Sequence, residues 1–163
     1  MNITSSSSVQ TQAIGAHLAR ILHPGDVILL HGDLGAGKTT LTQGIAEGLG
    51  IVGPVQSPTF TLVAEHDGHL NDGTPIRLYH LDLYRLGGEA DLEDIGFEDL
   101  LGPADGVSVL EWPERAGAWL PDRYVLVRIE TMPDSGRLLT ISAMPTTGEL
   151  AARIESLVLL SEH

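Results

Sequence analysis

Cysteine is absent from this sequence, which excludes disulfide bonds and thiolate metal sites. Apolar runs are short, and none approaches the roughly 20 residues that a membrane-spanning helix needs, so we expect no membrane association. Residues 1–8 contain no basic region followed by an apolar stretch, and we expect no secretory signal there. These absences argue against transmembrane, disulfide-stabilised and cysteine-ligated metal proteins.

Positive charge is also scarce. The chain carries 9 Lys and Arg against 22 Asp and Glu, which gives a formal net charge of −13. Such a surface repels phosphate backbones, so we expect the isolated chain to bind nucleic acid poorly. Any role in nucleic-acid metabolism would then require a partner that holds the nucleic acid. Lys38 is the only lysine, and its compact ammonium group suits phosphate.

Residues 32–39 read Gly-x-x-x-x-Gly-Lys-Thr, which is the pattern of a phosphate-binding loop. The aliphatic run over residues 26–30 follows a Pro-Gly turn and predicts a buried strand. After the loop, Leu41 and Ile45 recur at helical spacing, and Gly50 is a natural helix end. A strand, a glycine-rich loop and a helix are the structural context that this motif needs.

The glycines of this loop allow successive backbone N–H groups to turn inward around an anion. The N-terminus of the following helix adds unsatisfied donors and a partial positive charge. We expect Lys38 to reach the β- and γ-phosphates of a nucleoside triphosphate and the Thr39 hydroxyl to ligate Mg²⁺. Because nucleoside triphosphates are plentiful in the cytoplasm, we expect a cytoplasmic protein. The residues of this segment expected to bind the nucleotide are Asp33, Leu34, Gly35, Ala36, Gly37, Lys38, Thr39 and Thr40.

The rest of the pattern predicts one α/β domain over residues 1–163, with residues 1–8 as a flexible lead and helix cap. A short polar connection joins two strands into an antiparallel hairpin, which argues against a purely parallel sheet. We therefore predict a three-layer P-loop NTPase fold with a mixed, mostly parallel central sheet and the nucleotide at the carboxyl end of strand 26–30. The other predicted elements are helices over residues 9–22, 89–101 and 148–160, strands over 59–65, 76–82, 107–110, 124–130 and 137–143, and an exposed turn over 66–75.

A nucleotide–Mg²⁺ site needs an acid at a strand end to hold the metal or its waters. Glu111 ends the apolar run 107–110, and Asp82 ends the run 78–81. Residue chemistry alone does not rank them, so both are candidate metal ligands and catalytic acids. Trp112 is either a wall of the site mouth or a core anchor. The seven histidines are scattered along the chain and are expected to be solvated.

Four motifs occur in order along the chain, and together they are highly specific. They are residues 32–40, the segment Ser57-Pro58-Thr59-Phe60-Thr61-Leu62-Val63, the segment His80-Leu81-Asp82-Leu83-Tyr84-Arg85-Leu86, and Glu111-Trp112-Pro113-Glu114. This series closely resembles the bacterial TsaE family, also called YjeE, over about residues 9–143. One departure is Leu81, where many relatives have an aromatic residue, and we expect it to alter packing only.

The resemblance implies a Mg²⁺-dependent ATPase that acts in forming threonylcarbamoyladenosine beside the anticodon of tRNAs that read codons starting with A. It implies ATP or ADP as the bound nucleotide and partnership with the TsaD–TsaB pair. That pair would carry the transfer chemistry and contact the tRNA, which this chain would meet only indirectly. The nucleotide cycle of this chain would then reset the pair between turnovers.

The same resemblance assigns roles to particular residues. Lys38 and Thr39 would bind phosphate and metal, and Glu111 would be the second carboxylate beside the metal. Asp82 and Trp112 match functional positions of the family. Two further nucleotide contacts are expected: Thr59, in a segment that resembles the family's first nucleotide-sensing loop, and Thr11, in the thinner N-terminal match.

Two other functions share these features. A small-molecule or nucleotide kinase has the same loop but usually carries an arginine-bearing lid, whereas the eight arginines here are dispersed. A nucleotide-gated adaptor would bind ATP or ADP with little turnover, and the sequence leaves this alternative open. A GTPase is disfavoured because its Asn-Lys-x-Asp motif requires a lysine outside the phosphate loop.

Overall fold

Seven strands and five α-helices occur along residues 1–161, the part of the chain that this computed structural model describes, with side chains described through residue 157. Two 3₁₀ turns, Pro113–Arg115 and Gly117–Trp119, follow the fifth strand. In chain order the elements are β1 (Asn2–Ser5), α1 (Ser8–Ala19), β2 (Val27–Gly32), α2 (Lys38–Gly48), β3 (Val63–His69), β4 (Pro75–Asp82), α3 (Glu89–Asp94), α4 (Phe97–Leu100), β5 (Gly106–Glu111), β6 (Tyr124–Thr131), β7 (Arg137–Met144) and α5 (Glu149–Ser161).

The strands form one sheet in the order β1-β7-β6-β2-β5-β4-β3. The four central strands, β6, β2, β5 and β4, are parallel, and the pairings at both edges are antiparallel. The predicted mixed sheet is therefore confirmed, with its parallel part confined to the centre. Central parallel strands are covered on both faces, which is why β2 and β5 consist mainly of apolar residues.

Helices cover both faces of the sheet and give the three predicted layers. Because side chains alternate along a strand, Ile28 and Leu30 pack in a core with α1, α2 and α5. Val27 and Leu29 point to the other face and pack with α3, α4 and the 3₁₀ turns. Strand β2 is thus buried on both sides, and the loop that follows it starts from a rigid base.

Helices α1 and α2 pack with almost no space between their backbones. A Cβ atom added at Gly15 would lie 2.4 Å from the Leu41 carbonyl oxygen, and one added at Gly44 would lie 2.1 Å from that of Gln12. Only glycine permits this approach, since the obstructing atoms are backbone. The contact brings the N-terminus of α1 beside the phosphate-binding loop.

The prediction of a flexible lead over residues 1–8 is wrong for its first half. Residues Asn2–Ser5 form the edge strand β1, which pairs antiparallel with β7. The cap is confirmed, because the Ser7 hydroxyl accepts a hydrogen bond from the Gln10 amide at the start of α1. The four-residue strand escapes a sequence pattern because its partner lies more than 130 residues away.

Three other features differ from the prediction. Strand β3 begins at Val63, after Leu62 adopts a positive φ of 67°, so residues 59–62 of the predicted strand 59–65 belong instead to the loop over the site. The hairpin is confirmed, but its turn covers residues 70–74, because residues 66–69 pair with β4. The predicted helix 89–101 is divided into α3 and α4 by Gly96, whose φ of 69° breaks the helical path.

Candidate nucleotide site

The phosphate-binding loop lies between the carboxyl end of β2 and the first turn of α2, as predicted. Gly35 and Gly37 have φ values of 80° and 112°, which other residues rarely adopt. The side chain of Leu34 is 74% exposed at the rim. The loop therefore presents backbone donors to an open cavity, with the N-terminus of α2 directly behind them.

Lys38 is the first residue of α2 and is only 5% exposed. Its Nζ donates a hydrogen bond of 2.6 Å to the Gly32 carbonyl oxygen and lies 3.5 Å from the centre of the Trp112 ring. Burial lowers the pKa of Lys38, while the charges of Glu111 and Glu114 oppose that shift. The single lysine is thus held between a carbonyl and an aromatic face at the base of the site.

Asp82 and Glu111 stand side by side because they are register partners at the carboxyl ends of the parallel strands β4 and β5. Both are at most 5% exposed. The Ser57 hydroxyl bridges them, donating to Asp82 Oδ2 and, at 3.2 Å, to Glu111 Oε2. The Thr39 hydroxyl donates to Glu111 Oε1 at 3.2 Å. The structure therefore brings both candidate acids to the phosphate-binding loop.

These oxygens fit the chemistry of Mg²⁺. Two carboxylates and the Thr39 hydroxyl give an all-oxygen donor set, which is what this hard cation prefers. Among the described residues, no group of three or more His, Asp or Glu side chains could hold a metal alone. A set of this size suits a magnesium ion that keeps several waters and takes phosphate oxygens from a nucleotide.

His80 departs from the prediction that the histidines are solvated. It is fully buried, and its Nε2 lies 2.6 Å from Glu111 Oε2. Strand alternation places Leu78, His80 and Asp82 on one face of β4, so period-two spacing was the available signal. The imidazole holds the Oε2 atom of Glu111, while the Thr39 hydroxyl holds Oε1.

Two cavities share the phosphate-binding loop as a common wall, and Gly35, Gly37 and Thr40 line both. The larger cavity measures about 470 Å³ and the smaller about 150 Å³. The other residues that line the larger cavity are Leu34, Lys38, Thr39, Ser57, Thr59, Asp82, Tyr84, Arg85, Glu111 and Trp112. The other residues that line the smaller cavity are Ser5, Ser7, Ser8, Thr11, Ala36, Ser135 and Arg137.

Most of the residues predicted from the sequence therefore meet at this site. Thr11 lies apart from the acids, in the smaller cavity, where its hydroxyl is 2.7 Å from that of Ser5. Asp33 lines neither of these two cavities. Trp112 is a wall of the larger cavity and adopts a positive φ of 59°. Sequence reasoning missed Arg137, which reaches the loop from a distant hairpin and has no local signal.

Comparisons with known proteins show what this chain is similar to. A sequence model of the family described as "Threonylcarbamoyl adenosine biosynthesis protein TsaE" matches residues 5–139. The tRNA threonylcarbamoyladenosine biosynthesis protein TsaE of Bacillus subtilis is 41% identical over 141 residues, which cover 86% of this chain and 84% of that protein. The protein of the same name from Treponema pallidum is 39% identical over 142 residues, which cover 87% and 100%.

A solved structure extends the likeness to three dimensions. The crystal structure of Bacillus subtilis YdiB matches with a TM-score of 0.77 and 33% identity, covering 99% of this chain and 95% of that one. No helix within residues 1–161 is long and apolar enough to cross a membrane. Because the family match spans most of the chain and the relatives match along most of their own lengths, this chain belongs to the TsaE family.

Proposed function

We propose that this protein is a magnesium-dependent ATPase that acts with the TsaD–TsaB pair in tRNA threonylcarbamoyladenosine biosynthesis. Family membership supports the pathway. One observation supports the chemistry: the phosphate-binding loop, Lys38, Thr39 and two buried carboxylates converge on a single cavity of about 470 Å³. This is the set of groups that hydrolysis of a nucleoside triphosphate requires.

Binding would begin with an exchange of partners at Lys38. Its ammonium now rests on the Gly32 carbonyl and the Trp112 ring, and a nucleotide would offer it phosphate oxygens instead. The loop amides and the N-terminus of α2 would bind the remaining charge. The nucleoside would extend past Gly37 toward the smaller cavity, which Ser5, Ser7 and Thr11 line.

In the hydrolytic step, a water oxygen forms a bond to the γ-phosphorus while the bond to the β–γ bridging oxygen breaks, which yields ADP and phosphate. Mg²⁺, when bound, would neutralise charge on the β- and γ-phosphates. Glu111 would orient the attacking water and receive its proton, since its carboxylate is fixed by Thr39, Ser57 and His80. Asp82 would hold the metal and its waters.

The partner would meet this chain at the mouth of the site. Leu34 and Phe60 are large apolar side chains that are 74% and 85% exposed, and Phe60 lies under the Arg85 guanidinium. Ser57, three residues before Phe60, contacts both acids. A change in occupancy at the acids would therefore move the loop that carries the exposed aromatic ring. The acidic chain would leave tRNA contacts to TsaD and TsaB.

Phosphate release from ATP tests the proposal. We expect slow hydrolysis by the isolated chain, faster hydrolysis with TsaD and TsaB, and none by Lys38→Ala in either mixture. Nucleotide binding without turnover in the presence of the partners would favour the adaptor alternative. Failure of the folded wild-type chain to bind ATP or ADP would overturn the proposed site.

Tryptophan fluorescence gives an independent measure of binding. Moving the Lys38 ammonium from the Trp112 ring to a phosphate changes the electrostatic field at that indole. We expect ATP and ADP to shift the emission of Trp119→Phe, which keeps Trp112. The matched variant Trp112→Phe, which keeps Trp119 beside Phe97, should show no shift. Equal responses in both variants would contradict the position assigned to Lys38.

A further inference from the structure

Arg137 binds the outer side of the phosphate-binding loop, although it is the first residue of β7, on a hairpin a hundred residues further along the chain. Its Nε donates to the Ala36 carbonyl oxygen at 2.8 Å, and its Nη2 donates to that of Gly35 at 3.4 Å. Its Nη1 donates to the Ser135 and Gly136 carbonyl oxygens at 2.8 and 3.1 Å. One guanidinium thus ties the loop to the hairpin turn.

Within residues 1–157, the charge of this arginine has no acidic partner. No carboxylate within residues 1–157 forms an ion pair of 4.0 Å or less with Arg137. The acceptors are all neutral carbonyls, and the side chain also lines the smaller cavity. In a chain of net charge −13, an arginine that binds only carbonyls adds positive potential beside the loop.

Peptide geometry links these contacts to the anion-binding side of the loop. In a trans peptide unit the C=O and N–H groups point in opposite directions. Because the Ala36 carbonyl points to Arg137, the N–H of Gly37 in the same unit points away from it. That N–H has no acceptor among the described residues, whereas the Ala36 N–H donates to the Asp33 carbonyl at 3.0 Å. A charged donor on the carbonyl also polarises the unit and makes its N–H a better donor.

We propose that Arg137 is a positioning residue for the nucleotide, because it holds the phosphate-binding loop with the Gly37 amide facing the ligand. This inference rests on the proposed nucleotide-binding function. Arg137 acts on a part of the loop that every phosphate-bearing ligand would contact. That part is distant from the bond that breaks in hydrolysis. Arg137 therefore contributes equally to binding of ATP, ADP and the transition state.

The alternative role is purely structural, with the guanidinium only fastening the hairpin. The backbone of Arg137 is held without its side chain, since the residue is in register with Ser5 of β1 on one side and Thr131 of β6 on the other. Loss of the side chain should therefore leave the sheet intact. The two roles differ in what they change: a hairpin fastener alters stability, and a positioning residue alters nucleotide affinity.

Three variants separate these roles. Arg137→Met keeps the aliphatic stem and removes all donors, and Arg137→Lys keeps the charge with one donor group that reaches a single carbonyl. Arg128→Met is the matched control, because Arg128 is an exposed residue of the same hairpin, on β6. Thermal unfolding of each variant without nucleotide verifies the fold.

The readouts are the Kd values for ADP and a non-hydrolysable ATP analogue, with KM and kcat for ATP. We expect Arg137→Met to weaken both nucleotides by the same factor, about tenfold, with KM raised and kcat unchanged. Arg137→Lys should recover part of the loss, and Arg128→Met should match wild type. In amide NMR spectra, ADP should shift the Gly37 signal strongly in wild type and weakly in Arg137→Met.

The other outcomes overturn the inference. If Arg137→Met binds both nucleotides as wild type does, Arg137 is only a fastener. If kcat falls while KM is unchanged, the residue acts in the chemical step and not in positioning. If Arg137→Met does not fold, the nucleotide affinity of Arg137→Lys decides between the two roles. A wild-type Kd in that variant, which has a single donor group, contradicts the proposal. Absence of binding by wild type itself would instead reject the proposed function.

Discussion

At the scale of single residues, the candidate site is a set of polar groups that hydrogen-bond to one another around two carboxylates. Glu111 accepts hydrogen bonds from Thr39 and Ser57 and lies beside His80, while Asp82 accepts from Ser57 and from the Tyr84 amide at 3.0 Å. Buried carboxylates need such partners, because an unpaired charge in this environment is costly. The Glu111 carboxylate is the more fully fixed of the two and contacts the predicted metal ligand Thr39.

This difference ranks the two acids. We expect Glu111→Gln to lower kcat by about a hundredfold, because the amide keeps the shape but cannot receive a proton. Its Kd for ADP should stay within a few-fold of wild type, since the phosphate-binding loop is unchanged. Asp82→Asn is the matched variant and should retain more turnover at high Mg²⁺ concentration. If Asp82→Asn abolishes hydrolysis while Glu111→Gln leaves it intact, the roles of the two acids are reversed.

At the scale of secondary-structure elements, the close packing of α1 on α2 places the smaller cavity against the loop. Gly44→Ala would put a methyl group 2.1 Å from the Gln12 carbonyl oxygen, so the helices must separate. We expect a loss of about 3 kcal/mol of unfolding free energy, equivalent to a fall in Tm of about 6 to 12 °C.

Gly87→Ala is the control for that substitution, because its new methyl group would meet only the carboxylate of the Asp91 side chain, which can rotate away, and no backbone atom. Thermal unfolding of both variants should show a loss specific to Gly44. If Gly44→Ala is as stable as Gly87→Ala, the prediction is wrong, because α1 and α2 must then leave room for a methyl group.

A second contact between elements involves the buried carboxylate of Asp26, just before β2. Arg153 of α5 donates to both of its oxygens, at 2.7 and 3.1 Å, and also to the Ile21 carbonyl oxygen at 2.6 Å. Burial raises the pKa of Asp26, but the hydrogen bonds from Arg153 and the His23 amide outweigh this effect, and the pKa is lowered from 3.8. One carboxylate thus joins the segment between α1 and β2 to α5.

The sign of this shift predicts an acid-dependent stability. A carboxyl whose pKa is lower in the folded protein stabilises the fold above its unfolded value and loses that effect as the pH falls through the folded value. We expect Asp26→Asn to cost about 3 kcal/mol at pH 7, with the gap to wild type closing as the pH falls below 3.8. Urea unfolding of both proteins from pH 7 to pH 3 measures the gap, and a gap independent of pH would contradict the prediction.

At the scale of the whole molecule, the negative net charge argues against direct binding of this chain to tRNA. A surface of net charge −13 repels tRNA, because such binding depends on cations that release phosphate counterions. We expect the isolated chain to show no tRNA binding at physiological salt. We also expect it to bind the TsaD–TsaB pair with an affinity that differs between the ATP-analogue, ADP and nucleotide-free states.

Binding isotherms in the three nucleotide states test this expectation. By linkage, the preference of the pair for one state must equal the change in nucleotide affinity on joining the pair. Lys38→Ala is the control and should remove the dependence on nucleotide without altering the nucleotide-free affinity. Equal affinities in all three states would reject the switch, and tight tRNA binding by the isolated chain would reject the charge argument.

The sequence by itself determined the features that depend on local pattern. The phosphate-binding loop, the strand before it and the helix after it follow from glycine conformations and from apolar periodicity. The acids at the ends of two apolar runs were found in the same way, because a strand end is visible in the sequence. The mixed sheet followed from one short hairpin connection.

Only the tertiary structure decided which distant groups act on that loop. The adjacency of Asp82 and Glu111 depends on the parallel pairing of β4 with β5, and their bridge through Ser57 depends on how the loop before β3 folds over the site. Arg137 reaches the loop only because β1, β7 and β6 pair across the chain. Such contacts join residues far apart in sequence, where neither propensity nor periodicity carries information, and packing alone brings them together.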